Sequence, residues 1–77
     1  MFMSSEVKHH TFEVNKNESH FFYFTLESNE GLSFYSTRPH SEGDTKRIID
    51  VYVPESLKTE FTTVIQHLGK KIELKTL

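Results

Sequence analysis

Hydrophobic and polar positions alternate early in the chain. In KHHTFEVNK, residues 8–16, His10, Phe12 and Val14 share one side and Thr11 and Glu13 the other, the two-residue period of a half-buried strand. Polar residues 15–19 read as a turn. HFFYFTLES, residues 20–28, is dense in strand-favouring aromatics and reads as a second strand, with Phe22, Phe24 and Leu26 on one face and Phe21, Tyr23 and Thr25 on the other. Ser28-Asn29-Glu30-Gly31 supplies turn residues, so residues 32–38 become the other arm of a hairpin. The loop PHSEGDT separates this arm from KRIIDVYV, residues 46–53, a fourth strand with Ile49, Val51 and Val53 on one face and Lys46, Ile48, Asp50 and Tyr52 on the other.

Pro54 then ends the strand and suits a helical first turn. Leu57, Phe61, Val64, Ile65 and Leu68 fall at offsets of 4, 7, 8 and 11 from the first, one stripe of a helix over residues 55–68. Ser56 is a candidate N-cap, and Gly69 followed by Lys70 and Lys71 is a candidate terminus. The tail IELKTL fits a short strand, an extended arm or a continued helix.

These elements predict an α+β fold of order ββββα, a four-stranded antiparallel sheet with one helix packed on one face. The face bearing Phe22, Phe24, Leu26, Leu32, Phe34, Ile49, Val51 and Val53 is the expected core, set against the helix stripe. Residues 1–77 form one domain, with a loose terminus over 1–7 and a C-terminal arm over 70–77.

Composition changes the picture in one respect. A 77-residue chain draws only a few kcal/mol from its own core, and with no cysteine it has no disulfide or thiolate-zinc support. A homodimer is therefore expected. No apolar run is long enough to span a bilayer and no signal-peptide pattern opens the chain, so a cytoplasmic setting is the expectation. Nine Lys and Arg against eleven Asp and Glu give a net charge of −2, which argues against a general duplex-DNA binder.

The chain has ten aromatic residues, seven Phe and three Tyr. On the predicted faces, Phe21, Tyr23, Tyr35 and Tyr52 lie on the uncovered side of the sheet, a costly exposure without a partner. One reading makes these rings a stacking platform for unpaired bases, with Lys8, Arg38, Lys46 and Arg47 tracking phosphates around the rim. A second makes them cross-strand pairs that stabilise the sheet, or a face buried in a dimer.

The strand FFYFTLES, the turn SNEG, the strand LSFYSTR, the run KRIIDVYVP and the helix with Phe61 and Leu68 together resemble the purine-rich-element-binding (PUR) domain family in its short single-repeat form, bacterial or phage. The order of elements is also similar to that of the whirly-type coactivators that bind single-stranded DNA. The resemblance implies a dimeric ββββα domain whose sheet holds single-stranded DNA or RNA, with Phe21, Tyr23 and Tyr35 on its surface and Arg38, Lys46 and Arg47 at strand ends.

Other chemistry finds little footing. The five histidines lack ligand spacing, so no metal or other cofactor is expected. No nucleophile elbow or phosphate-cradling glycine loop is present, so no enzyme is expected. The competing function is a small protein-interaction or inhibitor module, of the sort phages encode, using the same sheet face on a protein partner.

Overall fold

Strand β1, Val7–Asn15, forms where the alternation predicts one, with Phe12 and Val14 buried. The structure, a computed structural model, describes residues 6–29 and 33–77. Most of the expected loose terminus lies outside the described residues, as do Glu30 and Gly31 of the expected turn and Leu32 of the expected core.

The main departure follows β1. A 3-10 turn, Lys16–Glu18, leads into helix α1, Ser19–Ser28, where a strand was expected. Phe22 and Leu26 lie four residues apart, a spacing that places them on one face under a strand period and a helix period alike. Phe24 separates the two cases, and it is 69% exposed while Phe22 is fully buried. Local polar bonds mark both ends of the helix. Asn15 Nδ2 donates to Glu18 Oε1 at 2.9 Å and Ser19 Oγ to the Lys16 carbonyl at 2.8 Å. At the far end Asn29 Nδ2 donates to the Thr25 carbonyl at 2.7 Å. Aromatic strand preference reflects fit to a pleated, half-buried surface, and here packing overrides it.

Strand β2, Phe34–Thr37, pairs with β3, Lys46–Pro54, rather than with the preceding segment. In the loop between them Gly43 takes φ +98°, a backbone region that favours glycine. After Pro54 a 3-10 turn, Glu55–Leu57, opens into helix α2, Lys58–Leu68. The predicted stripe faces inward: Phe61 and Leu68 are buried, and Leu57, Val64 and Ile65 pack beside them. Ser56 caps neither element, and Gly69 ends α2 in ordinary right-handed geometry. The tail adopts the strand option. Ile72 is buried, and β4, Leu74–Thr76, pairs with β1.

The order β1-α1-β2-β3-α2-β4 replaces the expected ββββα, with two helices in place of one. The class is α+β with a four-stranded sheet of order β2-β3-β1-β4, every neighbouring pair antiparallel. Each helix links two strands that leave room for a third between them, the split-βαβ arrangement. Both helices cover the same face, where Phe22 and Leu26 of α1 and Phe61 and Leu68 of α2 join Phe12, Val14, Ile49, Val51 and Val53 in one core. Among the described residues, no helix is long and apolar enough to cross a membrane.

The new register reassigns the aromatics. Phe34 stands opposite Tyr52, on the uncovered face, and is 73% exposed instead of buried in the core. Tyr35 stands opposite Val51, on the helix-covered face, and both Tyr23 and Tyr35 pack against the core.

Candidate functional site

The uncovered face is built from the positions of each strand that alternate with the core residues. The registers Phe34↔Tyr52 and His9↔Tyr52 set three rings in one row across β2, β3 and β1. The His9 ring lies nearly flat against Tyr52, with centroids 4.8 Å apart and planes 11° apart. Neighbouring strands are about 4.8 Å apart, so the row spans about 10 Å.

The next row is polar and tightly bonded. Ser36, Asp50 and Thr11 stand opposite one another, and the Asp50 carboxylate is the hub. It accepts from Arg38 Nε at 2.8 Å, Arg38 Nη2 at 2.9 Å and Thr11 Oγ1 at 3.1 Å, and its Oδ1 lies 2.7 Å from His9 Nε2. The forked bond from Arg38, followed by the one from His9, holds this carboxyl far below the usual carboxylate range. Asp50 reciprocally raises the pKa of the Arg38 guanidinium. One carboxylate thereby fixes both the edge of the stacked imidazole and the plane of a guanidinium.

Further along the face come Ile48 and Glu13, with Lys75 of β4 opposite Glu13, and then Lys46 and Asn15. Lys46 Nζ donates to Asn15 Oδ1 at 2.6 Å. The face therefore carries Arg38, Lys46 and Lys75 against Asp50 and Glu13.

Of the residues expected to form the site, Tyr52, Arg38 and Lys46 meet on this face. The other five lie elsewhere. Tyr23 of α1 and Tyr35 of β2 stack on each other on the helix-covered side at 5.1 Å, and the Tyr35 hydroxyl donates to Glu27 Oε2 at 2.5 Å. That bond, together with burial and the nearby carboxylate, pushes the Tyr35 hydroxyl up to about 12. Phe21 is on the outer side of α1. Arg47 points to the other side of β3 and donates to the Asp44 and Lys46 carbonyls. Lys8, also on the helix side, pairs with Glu55 at 3.5 Å.

Sequence reasoning missed His9, Thr11, Asp50 and Phe34 as members of the site. Alternation in β1 separates His9 from Phe12, which was a usable signal for its side of the sheet. Its place beside Tyr52 depends on the pairing of strands far apart in sequence. Comparison with protein-family models, curated proteins and solved structures finds no match to this chain.

Proposed function

We propose that the uncovered sheet face binds single-stranded DNA or RNA, stacking bases on Phe34, Tyr52 and His9 while Arg38, Lys46 and Lys75 contact phosphates. The observation that carries this reading is the row of three rings on a face that neither helix covers. RNA-binding modules use sheet faces with exposed aromatics in this way. A base gains about 1–3 kcal/mol from such a ring without regard to its sequence. The Asp50 hub supports the reading because it holds His9 and Arg38 in place before any ligand arrives, which lowers the ordering cost of binding.

Fluorescence polarisation with a labelled ~20-base strand tests it, at about 50 mM salt and above. Binding is expected to weaken with salt along a log–log slope near −2, that of about three phosphate contacts on a single strand. Tyr52→Ala and Phe34→Ala are each expected to weaken binding roughly 5- to 150-fold, the loss of one stacked base. Absence of binding at the lowest salt would overturn the proposal.

The second reading is a protein partner on the same face. Glu13 favours it, since a carboxylate in the middle of the face repels a phosphate backbone. In that case the alanine variants leave strand binding unchanged or absent and weaken capture of the partner.

A further inference from the structure

Helix α1 is apolar on two sides. Phe22 and Leu26 enter the core, whereas Phe21 and Phe24 stand outward at 50% and 69% exposure. Two neighbouring exposed rings on one helix make an apolar patch of the kind that marks an interaction surface. The chain's own second helix does not cover it, because α2 lies beside α1 on the same face of the sheet.

The polar groups along this outer side complement themselves when the helix is reversed. His20 and Glu27 are both exposed and lie seven residues apart, two helical turns, so they share one flank of α1. Phe24 sits near the midpoint between them. A second α1 laid antiparallel across the first, with the two-fold axis near Phe24, sets His20 of each copy opposite Glu27 of the other. It also stacks the two Phe21–Phe24 stripes and opposes the two helix dipoles. Glu27 already accepts from Tyr35 through Oε2, which leaves Oε1 for an imidazole N–H. A pattern that complements itself when reversed is what an isologous interface requires.

The geometry points to a homodimer joined through antiparallel α1 helices, with Phe21 and Phe24 at its centre and a His20–Glu27 pair at each end. The four rings bring roughly 500 Å² of exposed surface to the contact, well short of the ~1,200 Å² of a standard interface. The dimer is accordingly a weak one. The seam lies on the helix side of the molecule, so it leaves the uncovered sheet face of each copy open and does not depend on what that face binds.

Sedimentation of the full chain from about 5 to 500 µM, where mass action moves a weak dimer through its midpoint, provides the test. The expected result is a shift from monomer to dimer across that range. Phe24→Glu should leave the chain monomeric throughout. His20→Glu sets like charges together at both ends of the seam without touching the core, and is expected to weaken the dimer about tenfold or more. Adding Glu27→Lys to His20→Glu sets opposite charges together and should recover most of that loss. A wild-type chain that stays monomeric at 500 µM overturns the proposal. So does a dimer that survives Phe24→Glu, and so does a charge exchange that fails to rescue the His20→Glu variant.

Discussion

Asp50 and Tyr35 use neighbouring groups in opposite ways. The Asp50 carboxylate is held ionised by the donors around it, whereas the Tyr35 hydroxyl is held neutral by the carboxylate it donates to. The pH consequence of the tyrosine follows from linkage. Its folded pKa of about 12 lies above the ordinary value of 10, so its contribution to stability is complete below pH 10 and is lost as pH rises towards 12. In a spectrophotometric titration of the three tyrosines, one is therefore expected to ionise late, near pH 12. Glu27→Gln removes both the strong acceptor and the charge, and should return that step towards pH 10. A Tyr35 that titrates with the others in the native protein would contradict the assignment. Asp50 behaves conversely: its depressed pKa means that its bonds persist through mild acid and weaken only as pH falls far below 4. His10 is the group to watch above that range. Burial first, then the charges of His9 and Lys58, lowers its pKa, so its folded environment favours the neutral ring and loses stability as pH falls through about 6.5.

At the scale of elements, α1 gives the sharpest contrast between neighbouring positions. Phe22→Ala removes a fully buried ring and is expected to cost about 3–5 kcal/mol in urea unfolding. Phe24→Ala, measured at concentrations where the chain is monomeric, should stay within about 0.5 kcal/mol of wild type. A strand over residues 20–28 would make both substitutions costly. That contrast also explains how far the sequence could be read. The alternation of residues 8–14, the stripe from Leu57 to Leu68 and the break at Pro54 each rest on neighbours within one element, and β1, α2 and the end of β3 follow them closely. Residues 20–28 contain too few polar positions to separate a period of two from one near four, so strand preference prevailed in the reading and packing prevailed in the fold. The error spread from there. A strand in place of α1 gave β2 the wrong partner, and the assumed hairpin put Phe34 inside and Tyr35 outside. Tyr52 and Lys46 were legible as neighbours on this face because β3 was, and Arg38 directly follows β2; His9 and Phe34 required the register across three strands.

For the whole molecule, one layer of helices on one layer of sheet leaves little redundancy. Among the described residues, Phe61, Leu68 and Ile72 are three of the ten buried apolar side chains, and all lie beyond the 3-10 turn at Glu55–Leu57. A chain ending at Leu57 keeps β1, α1, β2 and β3 but exposes the floor of the core. Its far-ultraviolet circular dichroism is expected to be that of a largely unfolded chain, because a domain this small has only a few kcal/mol to lose. A cooperative thermal transition in that fragment would contradict the single-core description.

The central pairing also bears on how the protein is made. β1 lies at the middle of the sheet, and its principal partner is β3, so His9 meets Asp50 across 41 positions of chain. At ~5–20 residues per second, a ribosome needs about 2–8 seconds to add that intervening length. For all of that time the nascent β1 has both edges open, with Phe12 and Val14 lacking the surface they bury against. Its other neighbour, β4, is made later still, after α2. The sheet is therefore complete only once α2 and β4 have followed β3. The basic and histidine-rich start of β1, KHH, keeps its early wait hydrated, an advantage while those edges remain unpaired.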